Sequence, residues 1–358
     1  MANIVSIATA LPPYCHKQSD ILHFMQKAYG LNEEECRKLG FLYRQSDIES
    51  RYSALPNFDD PENNWYGIEK EGKNKSLDER MTIFDEYSLS ISINAIIGCI
   101  KGFIQTNEIT HLITVSCTGM SAPGLDLQLM EALHLNKNIF RTSVNFMGCY
   151  AAIHALKLAK MICDSDAKAN VVIVCTELCT LHFQKEYTQD NATSSMLFAD
   201  GSAAVLVSNK RYQHGLHIDS FYSEVIFQGK NDMSWQLSKE GFIMKLSAYI
   251  PDLIQHDIVE FLSNALSEAS LSKKDITHWC IHPGGKKIID VIESKLGLTS
   301  RDTQPARNVL RQYGNMSSPT ILFVLKELMN NISQSSANVF GIAFGPGLTI
   351  ESFIATKS

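Results

Sequence analysis

The sequence predicts an α/β protein built from two related halves on a mostly parallel sheet, and three observations lead there. At 358 residues with 45% hydrophobic composition, the chain can bury a large core and fill two domains or two fused halves. A weak internal repeat runs through it. Glu108-Ile109-Thr110-His111-Leu112-Ile113 returns as Asp275-Ile276-Thr277-His278-Trp279-Cys280, an offset of 167 (275 − 108). Ala169-Asn170-Val171 returns as Ala337-Asn338-Val339, an offset of 168 (337 − 169). Finally, an amphipathic helical pattern near 85–102 and again near 253–270 precedes a strand in each copy, as βα units require. We divide the chain into an N-terminal half, 1–214, and a C-terminal half, 215–358.

Each element follows from local chemistry. The apolar start, Ala2-Asn3-Ile4-Val5-Ser6-Ile7-Ala8, lacks a basic flank and reads as a first strand, not a signal peptide. Residues 56–80, with Pro56, Pro61 and many polar side chains, read as an exposed excursion. A net charge of -6 is the wrong sign for a nucleic-acid binder. No apolar run reaches the roughly 20 residues of a membrane span. Nine scattered cysteines, an odd number in a chain too large to need cross-links, fit reduced thiols in a cytoplasm.

Three short segments each place one reactive side chain at a glycine-bounded turn. Thr142-Ser143-Val144-Asn145-Phe146 reads as a strand and Ala151-Ala152-Ile153-His154-Ala155 opens a strong helix former. Gly148 permits the tight turn between them. Cys149 then sits near a helix N-terminus, where the dipole and free N–H groups favour thiolate. A buried structural cysteine is the alternative reading. His282 ends the apolar strand Trp279-Cys280-Ile281 and is followed by Pro283-Gly284-Gly285, which suits a pocket at a sheet edge. It can hold a thiolate as an ion pair and donate to an oxyanion. Asn315 follows Gly314 and precedes the helix beginning at Thr320, so it is either a helix cap or an amide donor to an enolate. Adding the offset of 167 to Cys149 lands on Met316, so a pseudo-twofold relation of the halves would bring the cysteine and asparagine turns together. Gly345-Pro346-Gly347 forms a stiff loop after an apolar strand and lacks the Lys-Ser/Thr of a P-loop. Cys175, Cys179 and His182 imitate a zinc spacing, without the second ligand pair a zinc site needs.

These motifs, in this order, resemble the type III polyketide synthases, the chalcone synthase-like branch of the thiolase fold, from about residue 80 onward. The turns at Gly148-Cys149, His282-Pro283-Gly284-Gly285, Gly314-Asn315-Met316-Ser317-Ser318 and Gly345-Pro346-Gly347-Leu348-Thr349 carry the resemblance, with Leu197-Phe198-Ala199-Asp200-Gly201. It implies a duplicated αβαβα layered fold. It also implies that Cys149 carries the acyl chain while His282 and Asn315 polarise the malonyl thioester during decarboxylation. Phe198 matches a gatekeeping phenylalanine.

Cys117, Cys179, His182, Trp235 and Met244 would line the cavity, and differ from the plant pattern in a way that looks bacterial and fatty acyl-directed. Gly345 and Pro346 belong to the same binding region. Glu177 and Ser317 would position a water for release or ring closure. Arg37, Lys38, Arg44 and Arg51 are the candidates for the CoA phosphates. The resemblance further implies malonyl-CoA and acyl-CoA as substrates, no tightly bound cofactor or metal, and a homodimer. A ketoacyl synthase III-like enzyme making one condensation, or a silent acyl-CoA-binding subunit of the same fold, are the competing readings.

Overall fold

A computed structural model describes residues 2–56, 58, 75–210, 212 and 215–357. Residues 57 and 59–74 of the expected excursion at 56–80 lie outside the described residues.

The repeat is visible in individual hydrogen bonds. In the first half the Thr110 hydroxyl donates to the Asn170 carbonyl at 3.1 Å and accepts from the Asn170 N–H at 2.9 Å, while Asn170 Nδ2 donates to Glu108 O at 3.0 Å. In the second half Thr277 and Asn338 make the same pair of bonds at 3.1 and 3.0 Å, and Asn338 Nδ2 donates to Asp275 O at 2.8 Å. Each lock follows a single 3-10 turn, Thr106–Glu108 or Lys273–Asp275, whose acid accepts a backbone N–H three residues earlier.

The strands form one nine-stranded sheet in the order His278–Ile281, Ala337–Gly345, Thr349–Lys357, Leu216–Val225, Asn3–Ala10, Asp200–Ser208, Asn170–Leu178, His111–Ser116, Phe140–Asn145. The expected first strand, Asn3–Ala10, is its centre. Only three neighbouring pairs are parallel: His278–Ile281 with Ala337–Gly345, and His111–Ser116 with each of its two neighbours. The remaining five pairs are antiparallel, so the mostly parallel sheet expected from the helix–strand pattern is corrected to a mixed one. For the pair Ala337–Gly345 with Thr349–Lys357 the reason is connection length. Only Pro346–Leu348 separates Ala337–Gly345 from Thr349–Lys357, and a parallel crossover needs a dozen or more residues.

Alternation along the strands builds the layers. Val171, Ile173 and Cys175 face a core containing the helix Ala151–Ser165 and residues of Thr320–Asn331, whereas Val172 and Val174 face Leu77–Ile100. In the second half Val339 and Ala343 point to the same inner helices, while Phe340, Ile342 and Phe344 face Ile250–Glu268 and Lys286–Leu296 on the outside. The two inner helices are therefore enclosed by both halves, giving the duplicated αβαβα layering of the thiolase fold. Leu77–Ile100 has the length and hydropathy of a membrane span. Its Ala95, Ile96 and Cys99 are fully buried against the sheet, which makes it a core helix.

The two locks differ in depth: Asn170 is buried and also accepts from Ser208 Oγ at 2.9 Å, whereas the Asn338 bonds are exposed. Asn170→Ala is expected to lower stability by about 2 kcal/mol, through orphaned buried groups, and Asn338→Ala by less than about 1 kcal/mol. Guanidinium unfolding midpoints at unchanged slope measure this, and equal shifts would contradict the account.

Candidate active site

The cysteine turn is strained and supported from the other half. Strand Phe140–Asn145 ends in Phe146 at φ 58°, followed by Gly148 at φ 74°, the turn Gly148–Tyr150 and helix Ala151–Ser165. A Cβ on Gly148 would stand 2.1 Å from Pro346 Cδ, and one on Gly345 would stand 2.5 Å from Tyr150 Cδ1. These two glycines let the Gly-Pro-Gly loop close onto the turn. Gly345 is thus a packing residue and does not line the cavity, whereas Pro346 does.

One cavity brings together Cys149, His282 and Asn315. Cys117, Cys179, Phe198, Trp235, Met244 and Ser317, all nominated from sequence, line it too. Thr118, Leu197, Met233, Leu246, Ile288 and Phe344 complete the walls; these had no distinguishing sequence signal, since an apolar wall looks like any core residue. The Phe198 and Asn315 backbones pair, with Asn315 N–H donating to Leu197 O at 3.0 Å and Ala199 N–H to Asn315 O at 2.9 Å.

Asn315 is anchored by one end and free at the other. Its Oδ1 accepts from the Ser317 N–H at 2.8 Å and the Thr320 hydroxyl at 3.3 Å, which leaves Nδ2 directed at Cys149 Sγ, 4.0 Å away. The helix Thr320–Asn331 begins after Pro319 and has no side-chain cap, so the Asn315 oxygen braces the turn before it instead of capping the helix. His282 is fully buried and neither ring nitrogen has a hydrogen-bond partner. Its backbone is fixed by an N–H bond to Ile342 O at 2.8 Å.

Burial works against the thiolate expected of Cys149. Burial pushes the Cys149 thiol up to about 11; Ser317 and Asn315 pull it down while the Glu177 charge pushes it further up. Burial alone lowers His282 to about 3. Removal from water outweighs the helix end at this position.

Several nominated residues serve the walls and not the cavity. The Glu177 carboxylate is fully buried and accepts from Ser318 Oγ at 2.7 Å, Thr118 Oγ1 at 2.8 Å and the Cys117 N–H at 2.9 Å. It has no place on the cavity lining, so it is corrected from a water-positioning group to a structural tie. Burial raises it to about 7, against those donors. His182 donates from Nε2 to Thr118 O at 3.1 Å, accepts at Nδ1 from the Phe242 N–H at 3.2 Å, and stacks on Phe242 at 4.3 Å. Both ring nitrogens are spent on backbone groups, and the ring lines an adjoining space that shares Cys179, Phe198, Trp235 and Met244 with the reaction cavity. Trp235 is held by its indole N–H on Cys117 O at 2.8 Å, and Cys117 Sγ accepts the Gly148 N–H at 3.0 Å. The tryptophan and the cysteine turn are thus coupled through one residue.

Arg51 is corrected as a phosphate contact. It is buried, with Nε on Gln18 Oε1 at 2.9 Å and a guanidinium N–H on the Phe198 carbonyl, so it braces the Phe198–Asn315 pairing. Arg37 and Lys38 are exposed and face Glu33 and Glu34 at 4.0 and 2.7 Å. Arg44 is exposed on the same helix. Among the described residues, no cluster of three or more His, Cys, Asp or Glu side chains is arranged to hold a metal.

The raised Cys149 thiol has a kinetic signature. Iodoacetamide alkylation of Cys149, followed by mass spectrometry of its peptide, is expected to keep accelerating above pH 9, towards the raised value of about 11. A rate already level below pH 7 would reveal a standing Cys149–His282 ion pair.

Family models for the chalcone and stilbene synthases match residues 1–210 with their N-terminal domain and residues 217–357 with their C-terminal domain. A probable polyketide synthase 1 from Dictyostelium discoideum is 29% identical over 97% of this chain, which spans 11% of that much longer protein. An alpha-pyrone synthesis polyketide synthase-like protein of Mycobacterium tuberculosis is 27% identical, covering 99% of this chain and 91% of its own length. The crystal structure of the C-terminal type III polyketide synthase domain of a Dictyostelium type I/III hybrid superposes with a TM-score of 0.91 at 28% identity, covering 99% of both chains. The chain belongs to the chalcone and stilbene synthase family and is an acyl-condensing enzyme of the type III polyketide synthase kind.

Proposed function

We propose that the chain condenses malonyl-CoA repeatedly onto a fatty acyl-CoA starter held on Cys149, and releases the product by ring closure as an alkylpyrone or alkylresorcinol. The observation that carries this reading is the apolar cavity in which Cys149, the Asn315 amide 4.0 Å away and the unpartnered His282 ring meet.

The neutral groups divide the work. As the starter binds, a His282 ring nitrogen takes the Cys149 proton, and the thiolate attacks the starter carbonyl. The CoA thiolate leaves and receives that proton, which restores neutral His282. The malonyl thioester carbonyl is then held by the His282 N–H and Asn315 Nδ2. Carbon dioxide departs, and its bonding electrons form an enolate stabilised by those two donors. The enolate carbon attacks the Cys149 thioester and expels the Cys149 thiolate, lengthening the chain by two carbons. Glu177 stays outside the cavity, so no carboxylic acid stands ready to quench the enolate.

Leu197, Met233, Leu246, Ile288 and Phe344 on the walls favour an aliphatic starter, and the alpha-pyrone synthesis for which the mycobacterial relative is named favours a pyrone. CoA thioesters enter as substrates, and no tightly bound cofactor takes part. A reducing cytoplasm fits this chemistry, because Cys149 must return to a free thiol each cycle.

Purified protein given malonyl-CoA and a panel of acyl-CoAs is expected to release carbon dioxide and form alkylpyrones, with Cys149→Ala losing condensation by at least about 10³-fold. Absence of product across the panel, or full activity in the variant, would sink the reading.

The exposed edge strand Phe140–Asn145 pairs on one side only and presents Phe140 at 70% exposure. An open edge of this kind is a pairing surface, and we assign it to a homodimer. Light scattering is expected to report twice the chain mass, with Phe140→Lys shifting the protein to monomer; a monomeric parent protein would refute the assignment.

A further inference from the structure

We propose that Lys287, with Lys286 beside it, binds the phosphates of the CoA nucleotide at the outer end of a cleft leading to Cys149. This inference rests on the CoA-thioester reading above.

The cleft has a volume of ≈ 180 Å³ and shares Leu197, Leu246, Gly284 and Ile288 with the reaction cavity. The two spaces therefore adjoin across a common wall of four residues. Among the described residues, Lys286 and Lys287 are the only charged side chains on the cleft lining; the rest is apolar or neutral, including Leu42, Gln45, Thr193 and Pro251. This distribution matches the ligand's own asymmetry. A CoA thioester is an uncharged pantetheine arm with the acyl sulfur at one end and a 3′-phosphate and a diphosphate at the other. The arm suits the neutral walls, and across the shared residues lies the reaction cavity lined by His282, a fully buried ring whose two nitrogens have no partner.

The two lysines are not equivalent. Lys286 Nζ stands 2.7 Å from the Asp290 carboxylate, which Arg307 also engages at 2.8 Å. Lys287 is exposed and makes no ion pair among the described residues, so its charge is available. In a chain of net charge -6, an unneutralised cation beside the substrate path is a local exception. The cations nominated from sequence lie elsewhere: Arg37 and Arg44 line neither space, and Lys38 lines an adjoining depression with its amine on Glu34. The signal missed in the sequence is simple: Lys286-Lys287 directly follows His282-Pro283-Gly284-Gly285.

The test compares malonyl-CoA with malonyl-N-acetylcysteamine, which carries the same reacting group and no nucleotide. Lys287→Glu is expected to lower the ratio of kcat/KM for malonyl-CoA to kcat/KM for the short thioester by about tenfold, with Lys287→Ala between it and the parent protein. A purely structural defect depresses both substrates alike and leaves the ratio unchanged, and an unchanged ratio overturns the proposal. Calorimetry with free CoA separates this inference from the function it rests on. If no turnover occurs with any thioester, weaker CoA binding by Lys287→Glu than by the parent still supports the lysine site, and equal binding or none refutes it.

Discussion

Everything at the centre of the molecule depends on how closely Pro346 can approach Gly148. The approach leaves no room for a Cβ: one would stand 2.1 Å from the proline ring. Because it is allowed, the loop between two C-terminal strands closes directly over the turn that carries Cys149, and Tyr150 packs on Gly345 in return. The same turn is held from behind by the Gly148 N–H on Cys117 Sγ, and Cys117 in turn receives Trp235. A backbone at φ 58° and φ 74° in succession costs free energy, of the order of 1–3 kcal/mol for a non-glycine such as Phe146. These contacts over-determine it.

Enclosure sets the electrostatics. Burial pushes the Cys149 thiol up to about 11, with the Glu177 charge adding to it, and pushes the His282 imidazole down to about 3. Both shifts favour the uncharged forms. The polar groups around the cavity divide cleanly. Asn315 spends its oxygen on Ser317 and Thr320 and keeps its nitrogens, while Glu177 and His182 spend all they have on the walls.

That Cys149, His282 and Asn315 meet in one cavity was readable because each sits at a turn whose backbone demands glycine, and such demands leave marks in a sequence. The duplication was readable for a related reason: the Thr110–Asn170 and Thr277–Asn338 locks need the same two residue types at nearly the same separation, 60 and 61 residues. Glu177 and Arg51 were misread because their partners are remote in the chain. Ser318 and Phe198 stand 141 and 147 residues away respectively, and nothing local announces them. Sheet direction was misread because helix-then-strand describes parallel and mixed duplications alike. Only the three-residue link Pro346–Leu348 betrays the antiparallel return.

The closure of Pro346 over Gly148 also orders events on the ribosome. At roughly 5–20 residues per second, the proline follows the glycine by about 10–40 s. Throughout that interval the nascent chain holds its reactive cysteine in a turn whose roof has not been made. Long-range contacts of this kind form late in folding, so a segment synthesised well after Cys149 completes the pocket around it. A truncated chain therefore does not carry a weaker version of this site; it carries a cysteine on an unsupported loop.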